Sequence, residues 1–333
     1  MSTESQIASF RQSFTALREE IGQVIVGHTD IVEGTLIAIF AGGHVLLEGV
    51  PGLGKTLLVR TLSEVLDLSF NRIQFTPDLM PADILGTNMV METPDGRREF
   101  QFQRGPIFAH IILADEINRA TPKTQSAMLE AMQEKSVTAG GQIRKLAEPF
   151  FVLATQNPID QEGTYPLPEA QLDRFFFKLI VGCPNAADLT EVINRTTENK
   201  KTTLRKVVDG ATLMELQTIV RQVPVASHVK DYAVRLILAT HPKTDTAVAI
   251  TNQYLRFGSS PRGAQSLILA GKVRALTQGR FNVSFEDIQV AAAPALRHRL
   301  ILNFEAEAEG ITTDHIIQSI LAEVPQDAVA AGR

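Results

Sequence analysis

Five short, mostly apolar segments recur along the first part of the chain, each bounded by polar residues, glycine or proline. They are HVLLEGV, FNRIQFT, HIILADE, FFVLATQNP and FFFKLIVGCP, which begin at residues 44, 70, 110, 150 and 175. Segments of this kind are typical of strands buried on both faces of a parallel sheet. Apolar residues with helical spacing follow residue 55 and recur at 121–135. Alternating strands and helices predict an α/β fold with a doubly wound, five-stranded parallel sheet.

Two segments interrupt this alternation with paired, strand-like arms. MVMETPDGRREFQF (89–102) carries a Pro-Asp-Gly turn signal at 94–96, and KSVTAGGQIRKL (135–146) carries two adjacent glycines at 140 and 141. Both patterns predict β-hairpins inserted at the edge or top of the sheet. For either hairpin alone, a surface feature without a function is an equally good interpretation.

The strand pattern ends near residue 185, and only helical periodicity follows. LMELQTIVRQV (213–223) and KDYAVRLILATH (230–241) are examples. We therefore expect two domains: an α/β domain over residues 1–184 and an all-helical domain over 185–333.

Composition narrows the class of protein. Apolar residues make up 44% of the chain and charged residues 21%, which is typical of a globular protein. The formal net charge of −5 provides no global basic field, so neither nucleic acid nor an anionic membrane is an expected partner. The single cysteine fits a reducing compartment, and the opening MSTESQIASF lacks the pattern of a signal peptide. Without an apolar run of ~20 residues we expect no membrane insertion and a cytoplasmic protein.

The loop GVPGLGKT (49–56) fits the pattern G-x-x-x-x-G-K-[ST] and stands between a predicted strand and a predicted helix. Its glycines let backbone N–H groups surround phosphates, and the lysine adds a positive charge there. This predicts a site for a nucleotide. The expected contacts are Gly49, Pro51, Gly52, Leu53, Gly54, Lys55, Thr56 and Leu57.

Two adjacent acids, Asp115 and Glu116, end the apolar strand HIILADE. In open α/β sheets ligands bind at this carboxyl edge. We expect Thr56 to ligate Mg²⁺ and Asp115 to hold it through water, while Glu116 deprotonates the attacking water. The alternative for the two acids is an ordinary solvated strand end. The histidines show no paired spacing such as H-x-x-x-H, so a zinc site is not expected.

The order of motifs resembles that of the AAA+ ATPases, and within them the MoxR family. The resemblance rests on GVPGLGKT, FQRGPIF, ILADEINRA, ATQNP, LDRF and SPRG, and runs from about residue 25 to 302. It implies the nucleotide-binding core and helical lid of that superfamily. It also implies that Asn157 is the first sensor, which hydrogen-bonds the attacking water or the γ-phosphate, and that Val26 and Gly27 pack on adenine. By itself, Asn157 is better interpreted as a cap of the turn before Pro158.

Two arginines take roles from the same resemblance. Arg174 in LDRF matches the arginine finger, which acts in trans on a neighbouring subunit's site, and Arg262 in SPRG matches the second sensor, which reaches from the lid to the phosphates. The alternatives are an ion pair of Arg174 with Asp173 or Glu169, and an Arg262 that only begins a helix.

The resemblance implies a ring, with a hexamer expected, whose ATP cycle remodels a partner protein. Members of the family are thought to mature enzyme complexes or load metals or cofactors into them. They often act with a partner that carries a von Willebrand factor A domain. In ring-shaped relatives, both hairpins face the pore or the top surface.

Three other functions stay open at this point. A DNA-directed AAA+ motor would share the hairpin insertions, although the net charge counts against it. A subunit like those of magnesium chelatase belongs to the same group. A nucleotide-sensing scaffold would bind ATP without hydrolysis, but it would not need Glu116, Asn157 and Arg174 together.

Overall fold

A computed structural model of the chain describes residues 3–50, 52, 54–92, 97–157, 164–197 and 202–326. Two expected nucleotide contacts, Pro51 and Leu53, lie outside these ranges, as does the turn predicted at 94–96.

The first part of the chain forms the sheet, the helices around it and two hairpins. Its elements in order are α1 (Thr3–Gly22), α2 (Thr29–Ala41), β1 (Val45–Glu48), α3 (Lys55–Val65), β2 (Phe70–Gln74), α4 (Pro81–Leu85), β3 (Gly86–Glu92), β4 (Arg98–Arg104), β5 (Ile111–Asp115), α5 (Pro122–Glu134), β6 (Ser136–Ala139), β7 (Gln142–Lys145), β8 (Phe151–Gln156), α6 (Glu169–Leu172) and β9 (Phe177–Ile180). A short 3-10 turn over Ile117–Arg119 follows β5.

The five predicted strands form one parallel sheet in the order β2-β5-β8-β1-β9, which confirms the doubly wound fold. The inner strands β1, β5 and β8 are buried on both faces, as their continuous apolar sequences require. Strand β2 lies at an edge and carries polar residues at alternate positions. The order places β8 between β1 and β5, so the carboxyl ends of these three strands meet at one edge of the sheet.

The predicted hairpins are present as two separate antiparallel pairs. Strand β3 pairs with β4 from Gly86↔Arg104 to Glu92↔Arg98, and β6 pairs with β7 from Ser136↔Lys145 to Ala139↔Gln142. Among the described strands, neither hairpin bonds to the five-stranded sheet; each is a sheet of its own. The hairpins touch each other, because the Arg144 guanidinium lies 3.6 Å from the centre of the Phe102 ring.

The last part of the chain is helical, as expected. Its elements are α7 (Ala186–Thr197), α8 (Gly210–Gln222), α9 (Ser227–Ala239), α10 (Ala249–Tyr254), β10 (Leu255–Phe257), α11 (Pro261–Thr277), α12 (Phe285–Leu296), β11 (Ile301–Leu302), α13 (Phe304–Glu309) and α14 (Thr313–Glu323). The structure adds one short antiparallel pair, β10 with β11, which the helical periodicity did not indicate.

One hydrophobic core joins the lid helices to a face of the sheet. Helices α1 and α2 both pack on α11, and the rings of Phe10 and Phe40 lie 4.9 Å apart between α1 and α2. The core continues into the lid through buried residues such as Tyr232, Leu267 and Ile288. The boundary predicted at 184/185 falls between β9 and α7, and this core runs across it. In the part of the chain that the structure describes, no helix is long and apolar enough to cross a membrane.

Candidate functional site

The loop between β1 and α3 has the geometry of a phosphate cradle. Gly49 lies so close to the neighbouring chain that a Cβ there would sit 2.6 Å from the carbonyl oxygen of Val181. Gly54 caps α3 with φ +76°, a conformation that side chains disfavour. Lys55 then begins the helix, and its Nζ donates to the Gly49 carbonyl at 2.5 Å. Lys55 therefore lies at the N-terminus of α3, where the helix dipole is positive and favours a phosphate group.

Electrostatic interactions show which groups surround this lysine. Burial lowers the pKa of Lys55, and the carboxylates of Asp115, Glu116 and Glu48 act in the opposite direction. The lysine therefore interacts electrostatically with the acids that end β5. A polyanionic ligand at Lys55 would replace these distant carboxylates as its main counter-charge.

A cavity of about 550 Å³ opens beside the loop. Aliphatic side chains form most of its wall, and Gly52, Gly54 and Lys55 of the loop also line it. Its lining includes Val26, Lys55, Leu57, Leu58, Val181 and Leu189. The volume and the apolar lining suit a purine ring, with its phosphates directed toward Lys55. Val26, Gly52, Gly54 and Leu57 also line this wall.

Gly27 stands behind this wall rather than in it. Its φ is +65°, and a Cβ there would lie 2.6 Å from Asp188 Oδ2 on α7. The glycine therefore lets the segment before α2 approach α7 closely. Helix α7 contributes Leu189, Val192 and Arg195 to the cavity, and the sequence analysis missed this contribution. The sequence did contain a signal, because α7 carries apolar side chains at helical spacing. In the structure some of these side chains are exposed and no residue of α7 is fully buried.

The two acids at the end of β5, Asp115 and Glu116, have different hydrogen-bond partners. Asp115 Oδ1 accepts from Thr155 Oγ1 at 2.6 Å, and Oδ2 accepts from Arg72 Nη2 at 2.6 Å. Thr155 belongs to β8 and Arg72 to β2, the two strands that flank β5 in the sheet. The protein thus supplies a cation of its own to Asp115. Without such a partner, a half-buried carboxylate at this position would be costly.

Glu116 adopts a left-handed conformation, with φ +56°. Its N–H donates to Thr155 Oγ1 at 2.8 Å, and its Oε2 accepts from Gln74 and Arg119, each at 3.1 Å. Gln74 stands directly opposite Asp115 in the β2–β5 register. The sequence analysis missed Arg72 and Gln74, although their polar positions at the end of an edge strand marked them as candidates.

The donors available to a divalent cation are few. Thr56 is exposed at the start of α3, and Asp115 retains partial exposure across the same edge. The described residues contain no group of three or more His, Cys, Asp or Glu side chains that could hold a metal. Thr56 and Asp115 carry the oxygen ligands that Mg²⁺ prefers, which it combines with water and substrate phosphates.

Asn157 follows β8 directly, at the shared edge between the phosphate loop and the acidic pair. It is half-buried there. The topology therefore brings Lys55, Thr56, Asp115, Glu116 and Asn157 to one place.

Arg174 and Arg262 lie elsewhere, in a second cavity of about 370 Å³ between the core and the lid. Its lining also includes Lys135, Asp173 and Arg299, and shares no residue with the lining of the first cavity. The surplus of basic side chains suits a polyanion. The structure therefore separates the two arginines from the phosphate loop of their own chain.

The position of Arg262 has a clear structural cause. Its helix α11 is anchored to the core at Asp173, which accepts from Ser260 Oγ at 2.7 Å and from Arg262 Nη1 at 3.5 Å. Arg174 is half-buried, and among the described residues its side chain has no hydrogen-bond or ion-pair partner. The alternative of an Arg174–Asp173 ion pair is therefore not formed, because Asp173 is occupied by lid residues.

Comparison with known proteins decides the family. Residues 44–177 match the ATPase family associated with various cellular activities (AAA), and residues 247–320 match the AAA lid domain. The chain is 42% identical over 305 residues to the chaperone MoxR1 of Mycobacterium tuberculosis, covering 92% of this chain and 80% of that protein. The chain belongs to the MoxR family of AAA+ ATPases.

Other relatives agree with this assignment. YeaC of Bacillus subtilis is 44% identical over 309 residues, with 92% of each chain covered. A crystal structure of a protein from Cytophaga hutchinsonii, assigned provisionally as an ATPase, superposes with a TM-score of 0.90 at 42% identity and covers 97% of both chains. The MoxR-family assignment therefore spans the core, both hairpins and the lid.

Proposed function

We propose that this MoxR-family protein hydrolyses ATP in an oligomer whose active sites are shared between subunits. The family is that of AAA ATPases, so nucleotide binding and ATPase activity are its general properties. The observation that carries the proposal is the separation of the two cavities. Arg174 lines the second cavity and not the nucleotide cavity of its own chain, which supports a contribution to the site of another copy.

In the proposed site, adenine occupies the aliphatic cavity and the phosphates meet Lys55 and the backbone of the loop. Thr56, and Asp115 through water, would hold Mg²⁺, which would supply positive charge to the phosphates. Glu116 accepts the proton of the attacking water. Asn157 orients that water or the γ-phosphate. Gln74 and Arg119 fix the orientation of the Glu116 carboxylate before the reaction.

Arg174 and Arg262 complete the site of the next subunit. Both line one basic cavity, so the two guanidinium groups can approach the same polyanion. Groups of this kind contribute ~10³–10⁵ in rate in other phosphoryl-transfer systems. The resemblance led to an expectation that Arg262 reaches the phosphates from the lid, and its contact with Asp173 supports such a role beside Arg174.

The work done by hydrolysis is proposed to be remodelling of a client protein. The relative MoxR1 is named a chaperone, which supports this class of function. The hairpins offer a contact surface, since Val90 and Phe100 are cross-strand neighbours and are 56% and 79% exposed, and Ile143 on the second hairpin is 76% exposed. The oligomer is proposed to be a hexameric ring in the cytoplasm. It is proposed to act with a partner that has a von Willebrand factor A domain, on a client enzyme that receives a metal or cofactor.

Mixing of variant subunits tests the shared site. Lys55→Ala removes the phosphate contact in a subunit's own site. Arg174→Ala removes the arginine that a subunit contributes to the site of its neighbour. Each variant alone should be nearly inactive, whereas mixed assemblies should regain part of the ATPase activity. Arg262→Ala should behave like Arg174→Ala, and a mixture of those two should regain nothing. If mixed assemblies form and no activity returns, Arg174 does not act in trans.

Affinity capture tests the client. Glu116→Gln subunits should retain ATP and hold their partner, so capture with and without ATP is compared by mass spectrometry. An ATP-dependent partner that has a von Willebrand factor A domain or is a metalloenzyme supports the remodelling function. ATP-dependent recovery of DNA with its binding proteins contradicts it in favour of a DNA-directed motor.

A further inference from the structure

Three consecutive lid residues hold the main chain around Arg174. They are Arg297, His298 and Arg299, which follow α12 directly. Arg297 Nη1 donates to the Lys178 carbonyl at 3.1 Å, and His298 Nε2 bonds the Phe175 carbonyl at 3.0 Å. Since a carbonyl only accepts, His298 carries its proton on Nε2. The start of β9 is therefore tied to the lid.

Arg299 is the central member of this group. Its side chain is 2% exposed, and its Nη2 donates to the carbonyls of Phe175 at 2.8 Å and Asp173 at 3.3 Å. These two residues stand immediately before and after Arg174. Its Nε donates to Asp173 Oδ1 at 2.9 Å, and Nη1 reaches the Phe176 carbonyl at 3.4 Å.

All the nitrogens of Arg299 are thus used within the chain, so Arg299 itself has no group left for a nucleotide. Further bonds go to Ser266 Oγ at 3.3 Å and to the Ala295 carbonyl. A buried charge is tolerated only when it is paired and hydrogen-bonded, and a planar fork of five donors meets that requirement where an ammonium group could not. Burial lowers the pKa of Arg299 to about 10, which leaves it charged at neutral pH, beside Asp173.

The contrast with Arg174 indicates what the arrangement achieves. The backbone N–H of Arg174 donates to the Gln171 carbonyl, and both flanking carbonyls are bound by Arg299. Asp173, the nearest carboxylate in sequence, is shared among Arg299, Arg262 and Ser260. The main chain is therefore held while the Arg174 side chain stays available.

We infer that Arg299 is a positioning residue for Arg174, which it holds ready for the nucleotide of a neighbouring subunit. The inference rests on the proposed action of Arg174 in trans. Arg299, Ser260 and Arg262 all belong to the lid, so the lid is hydrogen-bonded to the segment that carries Arg174.

The test replaces the planar guanidinium group of Arg299 by the ammonium group of a lysine. Arg299→Lys should bind a fluorescent ATP analogue as tightly as the parent, because the first cavity is untouched. Its ATPase activity should fall about 10–100-fold, the loss expected when a catalytic group is misplaced by about 1 Å. Mixed with Lys55→Ala it should regain activity, and mixed with Arg174→Ala it should not. A general loss of stability would not produce this difference between the mixture with Lys55→Ala and the mixture with Arg174→Ala.

Arg280→Lys is the matched control. Arg280 also binds a carboxylate through its fork, Asp287 at 2.8 and 2.9 Å, but within the lid and away from Arg174. It should keep its ATPase activity. If Arg299→Lys does not assemble, Asp173→Asn is carried through the same mixtures, because it weakens the same contacts while keeping its shape.

The outcomes separate this inference from the proposed function. If Arg174→Ala with Lys55→Ala regains activity but Arg299→Lys with Lys55→Ala does not, Arg299 does not position the finger. Unchanged ATPase activity of Arg299→Lys also overturns the inference. If neither mixture regains activity although mixed assemblies form, the action in trans itself fails.

Discussion

His44 makes the nucleotide-binding core sensitive to acid. It stands just before β1, is 8% exposed, and joins three elements. Its Nδ1 accepts from the N–H of Val152 at 3.0 Å, so Nε2 carries the proton and donates to the Met132 carbonyl at 3.1 Å. A second proton on Nδ1 would break the Val152 bond.

The magnitude follows from the shift in pKa. Burial lowers the pKa of His44 from its ordinary 6.5 to about 4; nearby Lys135 adds to the effect, and the bond to Met132 opposes it. The folded state therefore binds fewer protons than the unfolded state between these two values. The stability is complete above pH 6.5 and is lost as the pH falls toward 4, at about 1.4 kcal/mol per unit. At pH 5 the loss from His44 alone is about 2 kcal/mol.

Urea unfolding at pH 7 and pH 5 measures this loss of stability. Because the chain has no tryptophan, circular dichroism follows the transition. His44→Gln removes the titrating group and keeps one donor and one acceptor in the same place. The free energy of unfolding of this variant should fall by about 2 kcal/mol less between the two pH values than that of the parent.

His298 is lowered in pKa by burial as well, so the parent protein loses further stability in the same direction. The difference between the parent and His44→Gln isolates the contribution of His44. His315→Gln, which removes an exposed imidazole, controls for the loss of one histidine as such. If His44→Gln loses as much stability as the parent between pH 7 and pH 5, the assigned shift and the sign derived from it are wrong.

Three further predictions concern the nucleotide. Glu116→Gln should keep ATP binding and lose about 10²–10⁴ of hydrolysis, the usual contribution of a general base, and steady-state turnover with a binding titration checks both; equal turnover would remove Glu116 from that role. Lys55→Ala should abolish tight ATP binding in calorimetry, and parent-like affinity would contradict the phosphate-loop assignment. Gly27→Ala should weaken ATP binding, because its Cβ would lie 2.6 Å from Asp188 Oδ2 and displace α7 from the cavity. Gly310→Ala is its control: it has φ +70° and open space around it, so it carries the same backbone cost, about 1–2 kcal/mol, without the clash, and should leave affinity unchanged.

Local motifs account for the part of the site that could be predicted. The loop from Gly49 to Thr56 and the pair Asp115-Glu116 are each contiguous, and their chemistry follows from strand, glycine and charge alone. The partners of the acids were not predictable in this way. Gln74 reaches Glu116 because the β2–β5 register places it opposite Asp115, and Arg72 reaches Asp115 from that same edge strand.

The sequence by itself determined the sheet, the hairpins, the helical lid and the phosphate loop, because each depends on short-range periodicity or on one continuous motif. Only the tertiary structure decided where the arginines lie. The docking of the lid on Asp173 set Arg262 beside Arg174 and buried Arg299 between them and α12. Arg299 lies 125 positions after Arg174 in the numbering of the chain, and no local pattern connects them. Packing between distant segments brings such residues together, and it does so through the shape and hydrogen bonds of the folded core.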